Sequence, residues 1–232
     1  AKLGVQTRMV QGRRVTDAAA IDATSMVLNG LINTQLVALC RSFGISAIGI
    51  GGIDGGLVQA HRRAPVTLAS GEVVDYGLVG DIDGIDGTVI TRLLDSGFLP
   101  VVSPLSCDNS GQLLNINADT VAAAIGGALV AEKLILCTGA PGILERVDDP
   151  QSLISYTDLA GLHRLREKGA ISDGMLPKSS AIEAAIRGGV RRVHVISYTE
   201  ADSLLAEIFT NEGKGTLVVA DTKALTAAEQ GQ

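Results

Sequence analysis

The sequence predicts an α/β fold built on a mostly parallel sheet. From Thr88 onwards, helix patterns alternate with short apolar strand patterns, which is typical of helices that connect parallel strands. A continuous apolar run at 45–50 ends in a glycine-rich turn, as expected of a strand buried on both faces. With 46% hydrophobic residues, the 232 residues suit one domain or two closely joined lobes.

The first half of the chain opens with two helix patterns. They cover 17–28, which Thr16 would cap, and 31–43, where apolar residues recur at helical spacing. After the strand at 45–50, short strand patterns surround a hairpin turn at Ser70-Gly71. We therefore expect a β-rich excursion beside the main sheet.

The second half continues the alternation. The predicted elements are helices at 88–96, 120–131, 157–168, 177–187 and 200–209 and strands at 98–104, 113–118, 134–138, 190–197 and 216–219. Gly126-Gly127 lies inside one of these helices, where each glycine costs about 1 kcal/mol relative to alanine. This pair predicts tight packing of the helix rather than ligand contact.

Composition disfavours several classes of function. The chain has 25 acidic and 19 basic residues, a net charge of −6 and no basic block, so nucleic acid is a poor candidate partner. Three cysteines lie far apart without histidines at ligand spacing, which argues against a zinc site and for reduced thiols. Cys40 and Cys137 lie in apolar runs and are predicted to be core residues, whereas Cys107 lies in a polar turn.

The sequence gives no sign of a membrane segment. The most apolar stretch, 120–131, is too short to span a bilayer, and no charged and then apolar leader opens the chain. A cytoplasmic location is therefore expected.

The first candidate site is the segment 113–120, Leu-Leu-Asn-Ile-Asn-Ala-Asp-Thr. On a strand, Asn115, Asn117 and Asp119 would project from one face, and this polar set suits a small polar ligand. Two structural alternatives remain open. Asn115 could serve backbone groups at a loop, and Asp119 could be a helix N-cap.

The second candidate site is the segment 172–180, where a loop leads into a helix that Pro177 would open. Lys178 then lies in the first helical turn, where a cation is unfavourable unless an anion joins it. Helix amides together with a lysine form a phosphate site. The alternative is an ordinary solvated lysine.

Together with Gly12-Arg13-Arg14-Val15-Thr16, these two segments resemble the amino acid kinase family. The resemblance covers residues 4 to 219, and its order and spacing make it specific. It continues through Val79-Gly80-Asp81-Ile82, Ala131-Glu132-Lys133-Leu134-Ile135-Leu136, Pro141-Gly142-Ile143-Leu144 and Gly213-Lys214-Gly215-Thr216.

The resemblance implies a three-layer αβα sandwich with a mostly parallel central sheet. Residues 1–118 would form the amino-acid substrate lobe and 119–232 the nucleotide-binding lobe. The implied reaction is phosphorylation by ATP, with Mg²⁺, of the side-chain carboxylate of N-acetyl-L-glutamate to an acyl phosphate, in arginine biosynthesis. The implied assembly is a homodimer or a higher homo-oligomer.

The resemblance also assigns roles to individual residues. Arg14 would grip the α-carboxylate of the substrate, and Asn115 and Asn117 would bind the substrate as well. Lys178 would stabilise the transferring phosphoryl group, and Asp119 would hold the catalytic lysine or lysines by charge-assisted hydrogen bonds. The nucleotide would contact Thr138, Gly139, Ala140, Pro141, Gly142, Ile143, Leu144, Ala170, Ile171 and Ser172.

Two departures from the family pattern stand out. The family begins with a strand that carries Lys-x-Gly-Gly and later has a His-Gly-Gly-Gly-Pro loop, and the 232 residues contain neither string. Two βα units are therefore expected to be missing from the N-terminal side of this sequence. Gly139 stands where the family often has an aspartate, which leaves the nucleotide preference open.

Two other functions remain as alternatives. A kinase for α-aminoadipate held on a carrier protein, in lysine biosynthesis, shares most of these motifs. Carrier binding would need a basic entrance, and His61-Arg62-Arg63 is the candidate patch, although a solvated hairpin is the favoured explanation of this string. A non-catalytic ligand-binding pseudokinase is the other alternative.

Overall fold

The computed structural model of the chain describes residues 8–10, 13–68, 70–171, 174–210 and 213–224. The chain divides into two compact units, Ala1–Val121 and Ala122–Gln232. This boundary is close to the one that the sequence suggests between two lobes. The assignment of a ligand to each lobe stays a prediction.

The first unit combines a parallel strand pair with a mixed four-stranded sheet. Its strands are β1 (Arg8–Val10), β2 (Arg13–Val15), β3 (Ala47–Gly51), β4 (Val58–Arg62), β5 (Val66–Thr67), β6 (Val73–Val74), β7 (Gly80–Ile85), β8 (Leu99–Ser103), β9 (Leu105–Cys107) and β10 (Leu113–Asn115). Strands β3 and β8 pair in parallel, and the larger sheet has the order β10-β9-β4-β7. The pairs β1-β2 and β5-β6 are antiparallel hairpins.

One continuous helix replaces the two helices predicted at the start of the chain. It consists of α1 (Ala18–Ser25), a π-helical segment (Met26–Ile32) and α2 (Asn33–Ser42). The chain stays helical through its central glycine, Gly30. Asn33 Nδ2 donates hydrogen bonds to the carbonyls of Val101 at 2.8 Å and Ile50 at 3.3 Å, which attaches the helix to β8 and β3.

The cap of this helix was also predicted wrongly. The side chain of Asp17, not that of Thr16, accepts the hydrogen bond from the N–H of Ala20, at 2.8 Å. Thr16 is fully buried and pairs with another part of the unit. Asp17 is therefore the N-cap, and Thr16 is free to hold a different residue.

Within the described residues, this helix of 25 residues is apolar enough to span a bilayer by length and composition. The sequence pattern predicts two shorter helices, at 17–28 and 31–43, so a helix of this length was not expected. Length and composition are weak grounds for a membrane span, since the core helices of soluble proteins pass the same test. One face of the helix packs on β3 and β8 through Asn33.

Helix α3 (Thr88–Asp95) packs on β8, and the unit boundary falls inside helix α4 (Ala118–Ala128). The paired glycines of α4 have a packing role, as predicted. A Cβ atom on Gly126 would lie 3.2 Å from Val190, and one on Gly127 would lie 3.3 Å from the carbonyl oxygen of Gly188. Larger residues would push the helix away from these neighbours.

The second unit is a four-stranded sheet with helices and one continuous core. Its strands are β11 (Lys133–Thr138), β12 (Tyr156–Asp158), β13 (Arg192–Ser197) and β14 (Thr216–Val219), and its helices are α5 (Leu159–Glu167), α6 (Leu176–Arg187) and α7 (Ser203–Phe209). The sheet order is β11-β13-β14-β12; β11 pairs with β13 and β12 with β14 in parallel, while β13 and β14 are antiparallel. The α/β class predicted from the alternation of elements is confirmed.

Two local predictions fail in this unit. Residues 156–158 form a strand, so the predicted helix at 157–168 begins later, at Leu159. Cys137 is exposed rather than buried, because the neighbouring Leu136 takes the inward position on β11, and Cys40 in the first unit is only partly buried. An apolar run therefore does not by itself place each of its residues in the core.

Candidate active site

Asn115, a candidate substrate residue of the first unit, is held by a buried threonine. Asn115 Nδ2 donates a hydrogen bond to the hydroxyl of Thr16 at 3.2 Å. The backbone of Thr16 is fixed in turn, since its N–H donates to the carbonyl of Tyr76 and its carbonyl accepts from the N–H of Leu78. Asn115 is thus held by contacts across 99 residues of sequence, rather than by its own loop.

Arg14, the other candidate for carboxylate binding, belongs to β2. It is exposed and precedes Thr16 by two positions. Side chains two apart in an extended segment point to one side, so Arg14 is expected on the side of Thr16. An exposed, planar guanidinium is suited to the bidentate binding of a carboxylate.

The structure corrects the expected common face of Asn115, Asn117 and Asp119. Strand β10 ends at Asn115, and α4 begins at Ala118, so the three residues lie on a strand, in a turn and on a helix. Asn117 Oδ1 accepts a hydrogen bond from the N–H of Thr120 at 3.0 Å and therefore caps the helix. The substrate contact of Asn117 stays a prediction, beside this structural role.

Asp119 is not the N-cap, because Asn117 occupies that position. It lies in the first turn of α4 and is partly buried. A carboxylate in the first turn of a helix is stabilised by the helix dipole. The position of Asp119 is therefore not explained by capping.

In the second unit, the predicted nucleotide loop follows β11 directly. Thr138 ends the strand, and the N–H of Ile143 donates a hydrogen bond of 2.8 Å to the hydroxyl of Thr216 on β14. A Cβ atom on Gly142 would lie 2.7 Å from both Leu153 and that hydroxyl. Only glycine fits at this point, and the loop is therefore fixed against β14.

Sequence reasoning gave no role to the residues that support this loop. Thr216 belongs to a segment noted only for its resemblance, and Glu207 was not selected. The carboxylate of Glu207 accepts a hydrogen bond from the N–H of Gly215 at 3.0 Å and one from Nδ1 of His194 at 2.8 Å. The Gly-Lys-Gly-Thr string was the signal that could have pointed to Thr216.

The pair formed by His194 and Glu207 is buried, with side chains 6% and 5% exposed. Burial raises the pKa of the Glu207 carboxyl, but the hydrogen bonds from His194 and Gly215 outweigh it and leave the pKa below its ordinary value. Glu207 is therefore an anion that holds the backbone just before β14.

Lys178 is buried, at 8% exposure, near the start of α6. Its amine donates a hydrogen bond to the carbonyl of Cys137 at 3.3 Å. The alternative of an ordinary solvated lysine is therefore wrong. The side chain points at the end of β11, where the nucleotide loop begins, which is the place a phosphate-binding cation requires.

Helix α6 is fixed to α5 by a charged cluster. Arg166 donates hydrogen bonds to Ser179 at 3.0 Å and to Glu183 at 2.7 Å. The bond from Arg166 to Glu183, with those from His163 and Arg187, outweighs the effect of burial and lowers the pKa of Glu183 to about 2. Because Ser179 follows Lys178, the cluster fixes the backbone that carries the lysine.

The other predicted nucleotide segment is only partly described. Ile171 is buried in the core of the second unit, and the N–H of Ala170 donates to the carbonyl of Leu165 at 3.0 Å. Ser172 lies outside the described residues. Contact of these residues with a nucleotide stays a prediction.

The basic patch at 61–63 is neutralised by carboxylates of the same unit. The pairs are His61 with Asp83 at 2.7 Å, Arg62 with Asp75 at 2.8 Å, and Arg63 with Asp81. The two arginines and the imidazole each face a carboxylate, so the patch presents little net positive charge to an acidic partner. The observation therefore gives no support to a basic entrance for a carrier protein.

Comparisons with known proteins show what the chain is similar to. The family model described as "Amino acid kinase family" matches residues 1–197. The acetylglutamate kinase of Myxococcus xanthus is 44% identical over 99% of this chain and 76% of its own length, and that of Methanopyrus kandleri is 42% identical over 94% of this chain and 84% of its own.

Solved structures show the same fold. A protein of Streptococcus mutans is 27% identical with a TM-score of 0.77, over 95% of this chain and 80% of its own. The N-acetylglutamate synthase of Neisseria gonorrhoeae, in complex with coenzyme A and N-acetyl-glutamate, is 25% identical with a TM-score of 0.80, over 95% of this chain and 48% of its own.

Proposed function

Because the chain belongs to the amino acid kinase family, we propose that it transfers the γ-phosphoryl group of ATP to the side-chain carboxylate of N-acetyl-L-glutamate. The products are an acyl phosphate and ADP, and the reaction is a step of arginine biosynthesis. The observation that carries the proposal is the 44% identity to an acetylglutamate kinase over 99% of this chain.

Substrate binding falls to the first unit. Arg14 binds the α-carboxylate of N-acetyl-L-glutamate through its planar fork, and Asn115, held by Thr16, donates a hydrogen bond to the substrate. Asn117 combines substrate contact with its role as a helix cap. Asp119 keeps its predicted role of orienting the phosphoryl-transfer groups by charge-assisted hydrogen bonds.

Nucleotide binding falls to the second unit. The loop Thr138, Gly139, Ala140, Pro141, Gly142, Ile143 and Leu144 and the segment Ala170, Ile171 and Ser172 bind ATP. Lys178 stabilises the negative charge of the transferring phosphoryl group, which is the main demand of phosphoryl transfer. Its burial and its position at the end of β11 support this role.

Mg²⁺ would arrive with the phosphates of ATP. In the described ranges, no three His, Cys, Asp or Glu side chains form a group that could hold a metal ion. Mg²⁺ commonly keeps several waters and is bound by substrate phosphates with one or two carboxylates, so a dedicated protein cage is not needed. When bound, the ion would neutralise charge on the phosphates, and Lys178 would add to that neutralisation.

The protein would act as a homodimer or a higher homo-oligomer in the cytoplasm. The apolar face of the helix at 18–42 supports self-association, because it exposes Met26, Leu31, Leu36 and Leu39. Sedimentation equilibrium of the purified protein measures the oligomeric state.

The proposed activity is tested by trapping the acyl phosphate as its hydroxamate. The unaltered protein is expected to form product from ATP and N-acetyl-L-glutamate. Lys178→Ala is expected to lower kcat by about 100-fold or more, the usual loss for one preorganised charge partner. Lys133→Ala is the matched control, since Lys133 is an exposed lysine at the other end of β11.

Equal rates for Lys178→Ala and the unaltered protein would contradict the role of Lys178. Absence of product from the folded, unaltered protein would contradict the proposed reaction. Circular dichroism of each sample establishes that it is folded.

A further inference from the structure

Tyr198 is an exposed aromatic residue at the carboxyl end of β13. It follows Ser197, the last residue of the strand, and is 71% exposed. Its N–H donates a hydrogen bond of 2.9 Å to the carbonyl of Thr138, the last residue of β11. Ligands of open α/β sheets bind beyond the carboxyl ends of parallel strands, and Tyr198 stands at that edge.

The phenol ring covers the first glycine of the nucleotide loop. A Cβ atom on Gly139 would lie 3.2 Å from the Tyr198 hydroxyl oxygen and 3.6 Å from Cζ. Because glycine has no Cβ atom, Gly139 leaves space for the Tyr198 ring. One edge of the ring is set against the loop backbone, while most of its surface stays open to solvent.

The chemistry of Tyr198 differs from that of Lys178, which reaches the same pair of strand ends. Lys178 Nζ donates a hydrogen bond to the carbonyl of Cys137, so this lysine reaches the edge from α6. A neutral ring with a hydroxyl does not neutralise phosphate charge. It stacks on a base and hydrogen-bonds to base or ribose groups.

We propose that Tyr198 contacts the nucleoside part of bound ATP, with its ring against the base or ribose and its hydroxyl in hydrogen-bond reach of it. Lys178 and the start of α6 then serve the phosphates, so the two ends of the nucleotide are bound by different side chains. The inference rests on the proposed function and adds a specificity residue to the loop at 138–144.

Binding of a non-hydrolysable ATP analogue to the purified protein, measured by calorimetry, tests the proposal. Tyr198→Ala is expected to raise Kd about 10-fold, the scale for losing one aromatic stacking partner. Tyr198→Phe keeps the ring and is expected to raise Kd about 3-fold through loss of one hydrogen bond. Tyr156→Phe, on β12, is the control and should leave Kd unchanged.

A Kd for Tyr198→Ala within about twofold of that of the unaltered protein would overturn the inference and leave the proposed function intact. Failure of the unaltered protein to bind the analogue would overturn both. A rise in the KM for N-acetyl-L-glutamate equal to the rise for ATP would mean general loss of structure, and would also count against a nucleoside contact.

Tyrosine fluorescence gives a direct signal, since the chain has three tyrosines and no tryptophan. Tyr76 is buried at 3% exposure, whereas Tyr198 is open. ATP is expected to change the emission of the unaltered protein and of Tyr156→Phe, and to leave that of Tyr198→Phe unchanged. An ATP-dependent change that survives in Tyr198→Phe would contradict the contact.

A double-mutant cycle with Gly139→Ala tests the coupling. The added methyl group would displace the Tyr198 ring, so Gly139→Ala is expected to weaken nucleotide binding in the unaltered background. In the Tyr198→Ala background the same change should have little further effect, because its target is absent. Equal losses of nucleotide affinity in both backgrounds would show that Gly139 acts independently of Tyr198, and would count against the proposed contact.

Discussion

The two units hold their candidate ligand residues by different means. In the second unit, the loop at 139–144 rests on Thr216, and a buried pair of His194 and Glu207 fixes the backbone beside it. In the first unit, Arg14 is exposed, and the side chain of Asn115 is held by one hydrogen bond to the hydroxyl of Thr16.

The ion pairs near the two candidate sites differ in burial as well. In the first unit, His61–Asp83 and Arg62–Asp75 are about half exposed, so solvent screens them and each contributes little. In the second unit, the pair of His194 and Glu207 is desolvated, so loss of one partner would leave a buried group without compensation. Changes at the nucleotide side should therefore cost stability, and changes at the substrate side should cost mainly binding.

The largest expected effect is that of Glu207→Ala. The change leaves His194 and the N–H of Gly215 without their buried acceptor, and it should lower the free energy of unfolding by about 3–5 kcal/mol. Urea unfolding of the purified protein measures this. Glu200→Ala is the matched control, since Glu200 pairs with Lys214 on the surface and should cost at most about 1 kcal/mol.

If both variants lost the same small amount of unfolding free energy, the buried pair would not differ from a surface pair, and the contrast between the two units would fail. A large loss of unfolding free energy for Glu207→Ala alone would sharpen this contrast.

A smaller loss of stability is expected for Gly142→Ala. The methyl group would meet Leu153 and the hydroxyl of Thr216, and overpacking of this kind costs about 1–3 kcal/mol. The KM for ATP should rise as well, because the loop moves from β14. Gly30→Ala is the control in the first unit, where nothing lies within 4 Å of the added Cβ atom.

Gly30→Ala lies in a helix, so it should leave the protein as stable or more stable. A Gly142→Ala protein with unaltered melting temperature and unaltered KM for ATP would mean that the loop has room to move, contrary to the fixed loop described here.

The smallest expected effect on stability, with a clear effect on binding, is that of Arg14→Lys. Lysine keeps the charge but loses the planar fork, so the KM for N-acetyl-L-glutamate should rise about 10-fold while the KM for ATP stays unchanged. The free energy of unfolding should stay within about 0.5 kcal/mol, as for other exposed positions. Arg41→Lys, an exposed arginine on α2, is the control.

Steady-state kinetics with each substrate varied in turn separates these effects. Equal rises in both KM values, or a marked loss of stability, would place Arg14 in the structure of the first unit rather than in substrate binding.

Local sequence patterns predicted the elements better than the residues that support the site. The helix carrying Lys178 was predicted within one residue of its start, because Pro177 and the apolar spacing mark it. The shared face of Asn115, Asn117 and Asp119 was predicted wrongly, because the strand ends at Asn115 and a helix cap intervenes. A period of two holds only while the chain stays extended.

The sequence by itself determined the α/β class, the alternation of helices and strands after Thr88 and the family motifs, because each depends on residues that are neighbours along the chain. Only the tertiary structure decided which groups hold the site. Thr216 meets Ile143 across 73 residues of sequence, and Asn115 meets Thr16 across 99. Such bonds depend on how the elements pack, which no local pattern of side chains encodes.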